Sequence, residues 1–594
     1  MPVDFRFSNL SIQNFRGIRE LDIDLPQRMP LHLIGGNNSG KSTVLEALAL
    51  ALRGGGMHAF APAEFDFFHD AAGVPATDFT ITLGFAASNN ESLPAVQGMG
   101  NPTPVHGIRV IGSTDKQGRF RHQHVLIDAD DKTITFSQRT PLKGDAKEKF
   151  AGQGLGWRPV NARPDDIRDH LPEVWLLRPD NLKASLYQWK TGPLQRLSRM
   201  LADRFLTTKW TLDFGGKNQE MPKTLINAHG FFKDAVTRFP FWTDDLKPKL
   251  QETLSKYVGR EARMDLRPDI RIIEDWLAQQ LAVAFATDGG GATTPLEKMG
   301  DGWQSLIRIA ALDVLSQFPD QVRERVVLLF EEPETYLHPH LIRKLRGILE
   351  HLAENGWTVA TATHAPEMVS FASPQTVARL WRRPDGVGMG ELRTTEAGPH
   401  AKFQERLDER GGHEMLFAQR AVLCEGKDDV FAVRMHLEKL GVDLDGRSVS
   451  IIRAGDVGAI PAYAEMAKKL GIPWCTITDE DPESDGSIKK TTETARKKLS
   501  DLKTANDRSL VWKTNLEACL GKANGKATPD WISEEIEPKS VDQIEGVHPD
   551  FTTVGQAVKE WLNSNQIGST SPVPQGGKLK RCLPQPTRLL DTTS

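Results

Sequence analysis

Short apolar-rich segments open the chain and read as strands: Phe7-Ser8-Asn9-Leu10-Ser11-Ile12, Leu21-Asp22-Ile23-Asp24-Leu25 and Leu31-His32-Leu33-Ile34. A glycine loop follows. Ser42 to Leu50 then takes helical spacing, and further strands are expected at Phe79–Phe85, Gly107–Gly112 and His124–Asp128. From about Ile167 to Ala286 the periodicity turns helical, and Gly289-Gly290-Gly291 breaks it. Strand–helix alternation returns at Val326–Phe330 and Thr358–Ala362. The stretch Gly386–Gly412, rich in glycine and charge, reads as a loop. A second α/β unit opens at Ala421-Val422-Leu423, and the tail from Gly568 is rich in Ser, Thr, Pro and Gly. Neither an internal repeat nor a sustained heptad pattern is present.

This pattern divides the chain into an α/β domain at 1–395 with a helical insert at about 165–286, a linker at 396–418, and an α/β domain at 419–594. That division agrees with the length of 594 residues, since about 100–200 residues per domain gives about three to five units. Lys+Arg 74 against Asp+Glu 78 leaves a formal charge of −4, which excludes bulk positive charge as a route to nucleic acid. No apolar run is long enough to span a bilayer, and the first residues lack the layout of a secretory signal. The 4 cysteines form no CxxC pair, so a reducing cytoplasm is the expected setting and neither a zinc site nor a disulfide framework is implied.

Gly35-Gly36-Asn37-Asn38-Ser39-Gly40-Lys41-Ser42-Thr43 fits G-x-x-x-x-G-K-[ST] between a predicted strand and a predicted helix. The chemistry needs these types. Glycines let backbone N–H groups wrap phosphate oxygens at a helix N-terminus, Lys41 reaches the β/γ-phosphates, and Ser42 binds Mg²⁺. The plain alternative, a turn that merely carries Lys-Ser, does not account for the strand–loop–helix context. Val326 to Phe330 is suited to a buried parallel strand and ends in Glu331-Glu332. Adjacent residues there face opposite ways, so Glu331 is expected in the Mg²⁺ shell and Glu332 as general base to water. His364, after strand Thr358–Ala362, is placed to hydrogen-bond the γ-phosphate.

A second set of acids follows. Glu425-Gly426-Lys427-Asp428-Asp429 lies just after a strand, and Thr478-Asp479-Glu480-Asp481 ends another. Hard oxygen ligands at neighbouring parallel strand ends suit Mg²⁺ or Mn²⁺. Basic residues from Lys489 to Lys513, Arg496 among them, lie next in sequence and offer phosphate contacts; a solvated helix face is the plain reading of such a run.

Asn14-Phe15-Arg16-Gly17-Ile18-Arg19, the phosphate loop and Phe330-Glu331-Glu332-Pro333-Glu334-Thr335-Tyr336-Leu337-His338-Pro339 resemble an ABC-type ATPase head of the SMC-like kind. The Glu-Gly turn with Asp-x-Asp resembles a Toprim domain. That order is the architecture of the OLD (overcoming lysogenization defect) family, which includes the nuclease subunit of the Gabija defence system. The resemblance implies an α/β fold: an ABC-type head with a helical insert, then a Rossmann-like Toprim domain. It implies ATP and Mg²⁺ (or Mn²⁺) as cofactors, DNA as substrate, and a homodimer or higher oligomer formed by head and insert. It also implies a cytoplasmic role in anti-phage defence, with a helicase as a conceivable partner. Gly300, Gly302 and Gln304 stand where such heads carry a signature loop that meets the partner's nucleotide, without its usual Leu-Ser-Gly-Gly wording. By the same resemblance Glu425, Asp479 and Asp481 bind one metal, Asp429 and Glu517 the other, and Lys578, with Lys580 as rival, stabilises the transition state. The insert is either a dimerisation element or an extra layer. Two other functions compete: an ATP-switched repair or scaffold protein with a silent Toprim domain, and a topoisomerase, which needs a nucleophilic tyrosine among Tyr187, Tyr257, Tyr336 and Tyr463.

Overall fold

The computed structural model describes residues 6–52, 62–86, 103–115, 117–141, 155–179, pieces of 193–318 (the longest being 238–258 and 298–318), 326–370, 373–394, 412–480, 482, 487–522 and 525–564. Two sheets build the N-terminal domain. The first is antiparallel, in the order Ile18–Asp24, Phe7–Phe15, Asp78–Phe85, Gly107–Thr114, Phe120–Ile127. Its inward side chains, among them Leu10, Ile12, Phe79 and Ile81, are fully buried.

The second sheet has six strands in the order Gly386–Thr394, Gln375–Arg383, Leu31–Ile34, Thr358–Ala362, Val326–Glu331, Glu173–Leu177. All are parallel except the edge strand Gly386–Thr394. Helix Lys41–Leu52 lies between the two sheets, where Val44, Leu45 and Leu48 meet Ile12, Leu83 and Leu329 in one core. Helices Asp301–Ser316 and Pro339–Glu354 cover the other face against Leu328, Phe330 and Trp175.

The C-terminal domain is a four-stranded parallel sheet in the order Val449–Arg453, Arg420–Cys424, Trp474–Asp479, Arg508–Trp512. The chain leaves Arg420–Cys424 to one side and returns on the other, so a switch point opens between that strand and Trp474–Asp479. Open α/β sheets bind ligands at such a point, outside the carboxyl ends of the strands. Helix Lys427–Lys439 packs on one face with Ile532, Ile544, Phe551 and Val558 from the three last helices, Pro529–Ile536, Val541–Val547 and Pro549–Ser564.

Three expectations need correction. The stretch from Gly386 is not a loop, because Gly386–Thr394 is a full strand. Its glycines serve close packing: a Cβ on Gly388 would lie 2.5 Å from the Trp381 ring, and one on Gly390 2.5 Å from the Leu470 backbone. The described residues of the insert are also mixed rather than all helical. Beside helical residues within 193–201 and at Phe241–Leu246 and Lys247–Val258, they form the hairpin Thr211–Phe214/Lys217–Glu220 and the antiparallel pair Arg263–Pro268/Leu281–Ala286. Leu281-Ala282-Val283-Ala284-Phe285-Ala286 alternates with period two, a strand signal that the broader helical spacing masked.

The last part of the expected linker, Gly412–Phe417, is also no free tether. Met415 and Leu416 are fully buried in a core that joins the two domains. That core holds Ile34, Val369, Val377 and Leu392 from the first domain with Ile460, Tyr463, Ala467 and Trp474 from the second.

Candidate nucleotide and metal sites

Strand Leu31–Ile34 delivers the glycine loop, and helix Lys41–Leu52 starts at its last basic residue. Gly35 has φ 138° and faces the Leu380 carbonyl, where a Cβ would sit 2.1 Å away, so only glycine fits. Gly40 (φ 104°) and Asn38 (φ 60°) complete a loop whose Gly36, Asn37 and Asn38 stand open to solvent. The Lys41 ammonium donates to the carbonyls of Gly35 at 3.0 Å and Gly36 at 3.1 Å, and lies 2.9 Å from His364 Nε2. Burial pushes its pKa down to about 8, against the pull of Glu332, Glu334 and Glu331. The His364 ring is held below its usual value by burial and by that ammonium, and its Nε2 faces the lysine as acceptor.

Ser42 Oγ donates to Glu331 Oε1, which brings the two expected Mg²⁺ ligands together; Thr43 sits half-buried beside them. A hydroxyl and a carboxylate in contact form a hard-oxygen pair that fits Mg²⁺ at a phosphate loop. Glu332 is exposed, has φ 45°, and its charge acts on both Lys41 and His364.

Glu334 is a member of the site that its sequence position did not reveal. Its carboxylate accepts the His364 N–H at 2.6 Å and the Thr363 hydroxyl at 2.8 Å, and burial raises its pKa. It thereby ties the turn after Glu331 to the turn carrying His364. The spacing Glu331-Glu332-Pro333-Glu334 was the available signal.

Gly302 lies in the first turn of helix Asp301–Ser316, apart from the phosphate loop and beside the Tyr336 carbonyl. Gln304 is buried there and donates to the Met299 carbonyl at 2.8 Å.

In the second domain the acids gather at the switch point. Glu425 follows strand Arg420–Cys424, and its Oε1 accepts the backbone N–H of Asp479 at 3.1 Å. Asp429, in the first turn of helix Lys427–Lys439, accepts from Gly426 N–H at 2.8 Å and from the Trp512 indole N–H at 3.0 Å. Burial raises its pKa, and Glu517 and Asp428 add to the rise. Glu517, in the short helix Leu516–Cys519, accepts the Ala527 N–H at 3.1 Å. Arg496 donates to the Asp479 carbonyl at 3.0 Å, which brings one residue of the basic run to the acids.

The structure thus pairs Glu425 with Asp479 and sets Glu517 near Asp429. Asp481 and Lys578 lie outside the described residues. Among the described residues no three acidic, His or Cys side chains form a metal-holding group. The donor chemistry nonetheless fits a hard divalent cation, because every side chain here is a carboxylate and Asp428 Oδ1 is buried without a hydrogen-bond partner.

Three family models match: an AAA ATPase domain over residues 6–136, an AAA domain of the AbiEii toxin, Type IV TA system, over 196–370, and the overcoming lysogenization defect protein-like TOPRIM domain over 416–481. An OLD nuclease of Thermus scotoductus is 27% identical over 500 residues, covering 80% of this chain and 81% of the relative. The chain has an OLD-like ATPase–Toprim architecture. That pairing is the architecture of an enzyme, an ATPase joined to a nuclease. The Old nuclease of Escherichia phage P2 is 22% identical over 200 residues, covering 31% of this chain and 33% of the relative. Among solved structures, an Smc head bound to the C-terminal domain of ScpA from Pyrococcus furiosus matches at 12% identity and a TM-score of 0.37, over 68% of this chain and 99% of that one. In this architecture Glu331 and Lys41 belong to the AAA-type part, while Glu425, Asp429 and Asp479 lie inside the segment matched by the Toprim model. Among the described residues no helix is long and apolar enough to cross a membrane.

Proposed function

We propose that this chain is an ATP-binding, metal-dependent DNA endonuclease acting in anti-phage defence, as a cytoplasmic homodimer or higher oligomer. In this reading its Toprim domain cleaves under the control of the ATPase head. The observation that carries the proposal is the meeting of Glu425 and Asp479 at the switch point of a parallel sheet. The same chain carries a phosphate loop whose Ser42 touches Glu331.

In the head, Lys41 and the loop amides bind phosphate, and Ser42 and Glu331 hold Mg²⁺. Glu332, exposed beside them, takes the proton of the attacking water. In the Toprim domain Glu425, Asp479 and Asp481 are assigned to one metal, and Asp429 and Glu517 to a second. Two Mg²⁺ or Mn²⁺ ions, when bound, supply an activated water and neutralise charge on the leaving oxygen of a phosphodiester. Arg496 orders the Asp479 strand end, and Lys578 is assigned to the transition state.

One observation favours a second reading. Both oxygens of Asp429 are already occupied by protein N–H donors, as in a purely structural helix cap, which suits an ATP-switched repair or scaffold protein with a silent Toprim domain. Of the tyrosines a topoisomerase would need, Tyr463 is fully buried in the interdomain core and is removed as a nucleophile, while Tyr336 is exposed.

The deciding experiment incubates the purified protein with plasmid and linear DNA, with and without ATP, across Mg²⁺, Mn²⁺ and Ca²⁺, beside Asp479→Ala. Cleavage by the wild type and its loss in the variant support the nuclease. Equal cleavage by both removes the Toprim site from the chemistry, and cleavage by neither favours the scaffold.

A further inference from the structure

A chain of ion pairs runs along the open side of the nucleotide site and ends on the Mg²⁺ carboxylate. Asp66 binds Arg16 at 2.9 Å, Arg16 binds Glu46, Glu46 binds Arg178, and Arg178 Nε lies 3.2 Å from Glu331 Oε2. Nothing in the local sequence around Arg178 marks it as a site residue. The sheet explains its position. Strand Glu173–Leu177 runs parallel to Val326–Glu331 with Leu177 opposite Phe330, so the next residue on each strand, Arg178 and Glu331, emerges at the same edge.

Two features separate Arg178 from a structural strut. Its side chain is 32% exposed, and its Nε, buried against Glu331, makes an ion pair there but no hydrogen bond. Its partner Glu331 is also doubly engaged, with Ser42 Oγ on one oxygen and Arg178 facing the other. A divalent cation taken up by Ser42 and Glu331 would neutralise the carboxylate and place like charge beside the guanidinium. Arg178 then keeps Glu46 as an anchor, while Glu46's second oxygen stays on Arg16.

The charge balance favours a phosphate as its new partner. Lys41 is the cation at the head of the loop, already donating to the carbonyls of Gly35 and Gly36. A nucleoside triphosphate carries several negative charges, and a planar guanidinium with parallel N–H donors matches a phosphate better than an ammonium does.

We propose that Arg178 is a phosphate-binding residue of the same subunit, latched to Glu331 in the free protein and transferred to the terminal phosphate of a nucleoside triphosphate when Mg²⁺ binds with it. The proposal rests on the ATP-site reading above and adds how the site tells ATP from ADP. A brace that only aligned Glu331 would support both nucleotides equally. A terminal-phosphate ligand supports ATP alone.

The test is nucleotide competition on the full chain against a fluorescent ATP analogue, in Mg²⁺ and in EDTA, for the wild type, Arg178→Ala, Arg178→Gln and Glu46→Gln. In Mg²⁺ the preference for ATP over ADP should fall by about tenfold or more in Arg178→Ala, as expected for loss of a charge-assisted hydrogen bond, with ADP affinity unchanged. Glu46→Gln, which weakens the anchor that aims Arg178, should lower the preference in the same direction but by less, and in EDTA the Arg178 substitution should change it little. Arg178→Gln, which keeps length and polarity, carries the same comparison if the alanine variant melts early. A parallel loss of ATP and ADP affinity would overturn the proposal and leave Arg178 a brace. An equal effect with and without Mg²⁺ would overturn the transfer. A wild type that binds no nucleotide would sink the ATP-site reading itself, an outcome distinct from either.

Discussion

Trp512 holds Asp429 through its indole N–H, at 3.0 Å from Oδ1. The indole is stacked on Phe551, with ring centroids 5.5 Å apart, and Phe551 is stacked on His436 at 4.6 Å. Helix Pro549–Ser564 thus buttresses, through Phe551 and the Trp512 ring, the donor that holds the Asp429 carboxylate. Trp512→Phe keeps the ring stack and deletes the donor. On the proposed reading, Mn²⁺ affinity measured by titration calorimetry should weaken by about tenfold, the usual scale for losing a partner of a metal ligand, while the melting temperature moves little. Unchanged Mn²⁺ binding would make Trp512 a packing residue only.

Lys41 sets a pH limit on the nucleotide site. Its pKa in the free protein is pushed down to about 8, mainly by burial. Bound phosphate favours the charged amine, so the bound form titrates higher. ATP affinity should therefore be flat below about pH 8 and weaken as pH rises through that value, where binding must first return a proton to Lys41. A fluorescent-nucleotide titration between neutral and alkaline pH reads this directly, and a flat profile would contradict it.

Glu332 separates binding from turnover. It is exposed, and its link to the phosphate loop is a charge interaction with Lys41 rather than a hydrogen bond, so Glu332→Gln should change ATP affinity far less than turnover. Steady-state phosphate release should drop by about a hundredfold or more, the scale for loss of a general base. Retained turnover would move the base elsewhere, and Glu334, buried with a raised pKa, is the next residue to test.

Arg379 joins the domains. Its guanidinium is buried and donates to the carbonyls of Ala418 at 2.6 Å and Leu470 at 3.2 Å, with burial lowering its pKa to about 10. Arg379→Ala strands those acceptors, at a cost of about 1–3 kcal/mol. Scanning calorimetry should show a lower transition that broadens or splits as the two domains lose their shared support. A single unshifted transition would show that the contact adds nothing.

The phosphate loop was legible because its chemistry is local: the glycines, lysine and serine that wrap a phosphate are neighbours in sequence. Glu331, Glu425 and Asp479 were legible because each closes an apolar strand. Arg178 and Glu334 were not, since what they do depends on strand order and on a turn brought in from another strand. The glycines of Gly386–Thr394 misled for a related reason. Alternate glycines look like slack in one dimension, and only the approach of Trp381 and Leu470 shows them to be clearance. Asp429 was found by motif, yet the two protein donors that already occupy it could not be read from its neighbours.

The core shared by Ile34, Val377 and Tyr463 bears on how modular this protein is. The residue before the phosphate loop packs against the floor of the second domain, and a strand of the first domain supplies much of that floor. A cut between residues 395 and 420 would therefore strip each half of part of its interior. A Toprim fragment excised there, or grafted onto another ATPase, would carry a raw apolar face unless Gln375–Thr394 travelled with it.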